Sequence, residues 1–391
     1  MGGPASSNAA PSHIAREPAA RAWIKAHGSP LLVLDCDQVR ASYRRLAAAL
    51  PGVDLHYAMK ALAHPAVIAT LDQLGSCFDV SAPGEIDLLR AMSIDPGRLV
   101  HTHPIKRGTD IRHAVEAGCR TFVVDNLDEM EKFVPYGARV SLLLRIGFRG
   151  SDAIVDLAKK FGCAPDEAFG LLQRGRQLGL SLSGLSFHVG SQSRSAVGHV
   201  GAIHACLELI ERAAAAGLPE IRLLDIGGGF PAPYASETPA IENFCAPIRG
   251  ALHDSPRNVR IIAEPGRYLA ATAMEGIATV IGKARRGGMF WYYLDDGVYG
   301  SFSGKVYDGA RYPLRVVSNG GGRLHPSVLA GPTCDSVDII AEDLALPELE
   351  IGDLIIAGTM GAYTAASASE FNSIPKTKII VLNAPPAADP R

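Results

Sequence analysis

The sequence predicts an α/β barrel of eight parallel strands followed by a C-terminal antiparallel β domain. Three observations carry that prediction. Eight short apolar runs alternate with longer helix-compatible segments between residues 55 and 266. After residue 270 the alternation stops, and strand-like runs separated by Gly, Pro and Asn take over. Ionisable residues fall at the C-terminal ends of the apolar runs, where a (β/α)8 barrel builds its active site.

The first stretch, "MGGPASSNAAPSHIAREP", is small, polar and proline-containing and reads as a loose tail. No secretory apolar region follows it. Its opening formally matches a myristoylation start, a six-residue match that chance supplies readily in a Gly/Ala/Ser-rich tail. Residues 1–30 are therefore tail and lead-in, 31–270 the barrel and 271–391 the β domain. The run "LLVLDC" at 31–36 suits a strand of either domain.

The eight runs are 55–59, 77–81, 98–103, 121–126, 140–146, 182–189, 221–228 and 259–266. Segments such as "PGEIDLLRAM" and "AIHACLELIERAAAAG" lie between them with helical spacing, the latter ending at Gly217, a plausible stop. Strands alternating with helices imply parallel βαβ units, and eight of them suit closure into a barrel. Beyond residue 270, "MFWYYLDDGVYGSF", "YPLRVVS", "SVLAG", "DLIIAG" and "KTKIIVLN" read as strands with little helix patterning.

Composition bounds the function. Hydrophobic residues make up 47% and the net charge is -2, so the chain has a large core and no electrostatic reason to bind nucleic acid or an anionic membrane. No apolar run is long enough to span a bilayer. Seven scattered cysteines, an odd number without CxxC spacing, argue against a disulfide framework and a zinc site and for a reducing, cytoplasmic compartment.

Each polar residue at a strand end has a bland reading and a functional one. Lys60 either snorkels to solvent or acts as a Schiff-base nucleophile, which a desolvated lysine does well. Asp79, the pair His101 and His103, and Arg145 end or line the second, third and fifth strands. His188 is either a satisfied core histidine or a ring that stacks on a flat cofactor. Gly227, Gly228 and Gly229 form either a tight turn or a phosphate cradle, a common feature after the seventh strand of such barrels. Arg267 pairs with a surface carboxylate or with that phosphate. Glu264 is a buried neutral acid or the partner of a pyridine nitrogen. The functional readings together describe pyridoxal phosphate chemistry.

With these motifs in hand, the sequence resembles the fold-type III pyridoxal-phosphate decarboxylases of basic amino acids, closest to the ornithine and ornithine/lysine enzymes. "YAMKA", "SFHVGSQ", "LDIGGGFP", "AEPGRYL", "WYYLDDGVYGSF", "AGPTCDSVD" and "GAYTAASASEFN" carry the resemblance, which spans roughly residues 30–385. It implies a TIM-like barrel of the alanine racemase type with a C-terminal β domain, and pyridoxal 5′-phosphate as cofactor. By the same resemblance Lys60 is the Schiff-base lysine, with Asp79 and Glu85 supporting it. Arg145 lies near the cofactor's ring oxygen, and His188 stacks on the ring. Ser191, Gly228, Gly229, Arg267 and Tyr363 bind the phosphate. Glu264 meets the pyridine nitrogen.

The resemblance also implies an obligate homodimer with both sites at its interface. Cys334 would reprotonate the substrate's α-carbon in the partner's site. Asp335 and Asp308 would hold the distal amine, and Tyr299 and Phe371 would contact the substrate. Two carboxylates suit the ammonium of L-ornithine or L-lysine, which differ by one methylene, worth about 1–3 kcal/mol. The implied reaction is decarboxylation of ornithine to putrescine, with lysine to cadaverine beside it, in polyamine biosynthesis. Arg311, close after Asp308, departs from the family pattern and keeps meso-diaminopimelate or a carboxylated siderophore-type amine as alternatives. A racemase and a non-catalytic regulatory homologue complete the alternatives. No metal-ligand cluster stands out.

Overall fold

The structure is a computed structural model that describes residues 14–148, 159–234, 237–318 and 322–386, with the backbone of the strand at 153–155. Residues 1–13, and with them the myristoylation-like start, lie outside the described residues. Internal contacts divide the chain into two units: residues 40–231 with 241–269, and residues 1–39 with 232–240 and 270–391.

The first unit is a closed barrel of eight parallel strands: Val53–Ala58, Cys77–Val80, Leu99–His101, Thr121–Val124, Ser141–Ile146, Leu182–Phe187, Leu223–Asp225 and Arg260–Ala263. Each coincides with one of the eight apolar runs. The ring closes where Ile261 pairs with Val53. The strands are buried along most of their length, as expected where helices cover a parallel sheet, so they read as apolar runs rather than alternating ones. Helices return the chain between strands, and their starts are written in the sequence. Pro65, Pro83 and Pro165 open three of them. Asn126 caps another by accepting from the Glu129 N–H at 2.9 Å.

The second unit is built on an eight-stranded sheet. Its path runs Leu314–Val317, Leu354–Ala357, Met274–Arg286, Met289–Leu294, His325–Ala330, Ile339–Leu346. Leu31–Asp35 also pairs with Met274–Arg286, and Lys378–Leu382 pairs with Leu31–Asp35. The expected antiparallel sheet is in fact mixed: Leu31–Asp35 runs parallel to Lys378–Leu382, and Met289–Leu294 runs parallel to His325–Ala330. A long crossover makes the second parallel pair possible, because residues 295–324 intervene between its strands. Met274–Arg286 and Ile339–Leu346 were not legible as strands, since glycines and charges interrupt their periodicity.

Residues 14–30 do not form a loose lead-in. Glu17–His27 is a helix whose Ala20, Trp23 and Ile24 share one face. Ala15 and Ala20 are fully buried in a core cluster with Leu31, Val33, Ile277 and Ile356. The Ala15 N–H donates to Glu275 Oε2 at 2.8 Å, and Arg315 Nη2 donates to the Ala15 carbonyl at 3.0 Å. Small, polar composition suggests a loose tail, yet here the buried Ala15 and Ala20 pack into the sheet's core.

Candidate active site

The first barrel strand ends in a short 3-10 turn, Met59–Ala61, which carries Lys60. Lys60 Nζ donates to Asp79 Oδ2 at 2.6 Å. The Asp79 side chain is fully buried while that of Lys60 is 38% exposed. Strand register creates the pair, since Ala58 is opposite Asp79. The other Asp79 oxygen accepts from Thr102 Oγ1, a residue between His101 and His103 that carries no sequence signal of its own. A buried carboxylate with two donors is an anion held in place rather than left unpaired. Glu85 braces the same segment by accepting the Ser81 N–H at 2.5 Å, and burial, with Asp79 nearby, raises its pKa.

The third-strand histidines do not join this group through hydrogen bonds. His101 stacks on Phe122 at 5.8 Å, and burial pushes its pKa down to about 3, the behaviour of a neutral core ring. His103 Nδ1 accepts the Ile105 N–H at 3.1 Å.

The sixth and seventh strands deliver His188 and the glycine turn. The Gly190 N–H donates to His188 Nδ1 at 3.0 Å, so a neutral ring carries its hydrogen on Nε2. Burial, and then the charge of Arg145, holds His188 well below the usual histidine range. Gly227 and Gly229 sit at φ of 68° and 95°, a region that favours glycine. A Cβ on Gly228 would lie 2.8 Å from the Glu264 carbonyl oxygen and 3.0 Å from His188 Nε2. One on Gly229 would lie 2.6 Å from the Gly190 carbonyl oxygen. Next to Gly190, Ser191 Oγ meets Arg267 Nε and Nη2, each at 3.1 Å.

The seventh and eighth strands bring two carboxyl groups together. Asp225 is opposite Ile262, and Glu264 lies two residues on, so both side chains project from the same face. Asp225 Oδ1 accepts the Gly227 N–H at 2.9 Å. Burial, then the charge of Glu264, holds Asp225 well above the usual carboxylate range. Burial, then the charge of Asp79, raises Glu264. Arg145 is also desolvated, which lowers its pKa, and Glu264 is its strongest countercharge.

The remaining predicted residues lie in the second unit. Tyr299 Oη donates to Asp335 Oδ2 at 2.5 Å, and Phe371 stacks on Tyr299 with centroids 4.2 Å apart. That hydrogen bond lowers the pKa of Asp335 and raises that of Tyr299. Cys334 is exposed, and its N–H and Sγ lie 3.3 and 3.5 Å from Asn372 Oδ1. Asn372, at φ 55°, escaped sequence reasoning because nothing local links it to residue 334. Asp338 ties the Cys334 loop down, accepting from the Val298 N–H at 2.8 Å and Thr333 Oγ1 at 2.7 Å. Asp308 ends the short helix Gly304–Asp308. Tyr363 adopts φ 54°, and its carbonyl accepts from Ser367 Oγ at 2.9 Å. Arg311 is exposed.

Comparison with known proteins agrees with this chemistry. Residues 36–271 match the family model "Pyridoxal-dependent decarboxylase, pyridoxal binding domain". A lysine/ornithine decarboxylase of Selenomonas ruminantium is 36% identical over 345 residues, 88% of this chain and 87% of that protein. The ornithine decarboxylase of Schizosaccharomyces pombe is 34% identical over 372 residues, 92% of this chain and 84% of that protein. The solved lysine/ornithine decarboxylase of Vibrio vulnificus, complexed with cadaverine, superposes with a TM-score of 0.89 at 49% identity, covering 93% of this chain and 97% of that one.

The barrel residues fit the cofactor this family uses. The turn at Gly228 and Gly229 admits no side chain and so allows close backbone approach, as a phosphate requires. Arg267 and Ser191 add donors beside it, and Lys60 supplies an amine at the end of the first strand. The chain belongs to the pyridoxal-dependent decarboxylase family, lyases that act with pyridoxal 5′-phosphate.

Proposed function

We propose that this enzyme decarboxylates L-ornithine to putrescine and L-lysine to cadaverine, releasing CO2 as a cytoplasmic step of polyamine formation. The observation that carries the reading is the Lys60–Asp79 ion pair, held at the end of the first barrel strand by Thr102. The substrate choice is supported by the relatives, two of which are lysine/ornithine decarboxylases.

In this reading Lys60 would hold the cofactor through its Nζ, which Asp79, itself held by Thr102, orients. The glycine turn, Ser191, Arg267 and Tyr363 hold the phosphate. The neutral ring of His188 would hold the cofactor ring by stacking, and Arg145 would bind its ring oxygen. Glu264, whose pKa burial raises, would pair with the pyridine nitrogen. When bound, pyridoxal phosphate supplies an electron sink for the pair left on the α-carbon as CO2 departs. Cys334 returns a proton to that carbon through Sγ. Asp335 and Asp308 accept the distal ammonium, and Tyr299 and Phe371 line the path to it.

Cys334 and Asp335 act in the barrel of a second copy, so the working unit is a homodimer. The test is CO2 release and product chromatography with ornithine, lysine and meso-diaminopimelate, using the full chain and pyridoxal phosphate. Putrescine and cadaverine are the expected products. Release from diaminopimelate alone would overturn the assignment of Asp308 and Asp335 to an ammonium.

A further inference from the structure

We infer that His199 is a positioning residue that sets the direction of the phosphate-binding glycine turn. The inference rests on the reading above that this turn holds the cofactor's phosphate. His199 lies in the first turn of the helix Val197–Ala215 and is fully buried. Its Nε2 is 2.9 Å from the carbonyl oxygen of Gly228. A carbonyl only accepts, so Nε2 carries the hydrogen and the imidazole donates it.

The consequence follows from peptide geometry. The unit joining Gly228 to Gly229 is planar and trans, so its C=O and N–H point in opposite directions. Holding the Gly228 carbonyl toward the helix therefore holds the Gly229 N–H away from it. Gly228 and Gly229, the latter at φ 95°, flank this unit and resist rotation little, so an outside anchor matters here.

The surroundings show what the imidazole adds. Its ring packs at 5.6 Å from both Phe230 and Phe244, and at 6.4 Å from Phe187. Phe187 directly precedes His188, and Phe230 directly follows the glycine turn. An apolar ring would fill such a cage equally well. The N–H is what reaches the Gly228 carbonyl, and without it that buried acceptor loses a partner in an aromatic environment.

The test titrates cofactor-free full-length protein with pyridoxal 5′-phosphate and with pyridoxal, which lacks the phosphate, reading the visible absorbance of the bound form. The wild type prefers the phosphorylated ligand. His199→Phe and His199→Met keep the bulk but lose the donor, and about tenfold of that preference disappears, with pyridoxal affinity unchanged. His199→Gln, whose amide can donate, restores the preference. Near-ultraviolet circular dichroism checks folding, and if His199→Phe does not fold, His199→Met decides alone. An unchanged preference in a folded donor-less variant overturns the inference, as does equal weakening of both ligands. A wild type that binds both ligands equally would instead remove the phosphate reading of the turn, and the inference with it.

Discussion

Asp225 and Glu264 place two carboxyl groups on the same face of neighbouring barrel strands, both buried at the C-terminal end. Neither can ionise as freely as in water, and each has its pKa raised. The raised pKa of both groups favours a proton on the pair, beside the position read as the partner of the pyridine nitrogen. Asp225 also accepts the Gly227 N–H, so one residue joins that proton to the glycine turn.

The pair has a signature in stability. Asp225 has a folded-state pKa above its unfolded one, so its contribution is fully present below the unfolded value of about 3.9. That contribution is lost as pH rises through the folded value. Asp225→Asn keeps the acceptor for Gly227 and removes the titration. Its melting temperature should fall less than wild type's between pH 5 and 9, and thermal scans that stay parallel would contradict the shared proton.

Lys60→Ala should abolish the visible absorbance of bound cofactor and lower decarboxylation by roughly 10³-fold or more, since the proposed function makes Lys60 the nucleophile. It also removes the Lys60 donor to Asp79. A fully buried pair loses about 3–5 kcal/mol when one partner is removed, and the exposure of Lys60 reduces this to roughly 1–3. Spectra and thermal melts of the same sample check both effects.

Thr102→Val removes the second donor to Asp79 without changing size. The expected cost is about 1 kcal/mol in stability, with kcat lowered up to about tenfold and KM little changed. Thr102→Ser should recover both. A kcat equal to wild type's in Thr102→Val would show that Lys60 alone orients Asp79.

Cys334→Ala should slow turnover and divert part of the product toward the aminoaldehyde, because in the proposed function Cys334 is the proton donor to the α-carbon. Asn372→Ala should move the product ratio the same way by a smaller amount, since Asn372 Oδ1 lies near both the N–H and Sγ of Cys334. Chromatography of the reaction products measures the ratio. A product profile unchanged in Cys334→Ala removes that residue from the proton-donor role.

Much of the barrel was legible because its physics is local. A strand covered on both faces is mostly apolar rather than alternating, and the eight runs are rich in apolar residues. Lysine, aspartate, histidine and glutamate at the ends of such runs stand out because burial makes them costly. Thr102 carried no such signal, and its hydroxyl matters only because Leu99–His101 pairs beside Cys77–Val80. His199 sat in a helix that looked like ordinary covering, and Asn372 is far along the chain from Cys334.

By itself the sequence determined the succession of elements, the chemistry available at the strand ends and the resemblance to the pyridoxal-phosphate decarboxylases. Those properties reside in single residues and short patterns. The tertiary structure alone decided that residues 14–30 dock on a sheet and that this sheet is mixed. It also decided that Asp79 receives Lys60 and Thr102 together, and that the Gly228 carbonyl meets an imidazole. Each depends on pairing between segments distant in the chain, and such pairing is set by register and packing that no local pattern encodes.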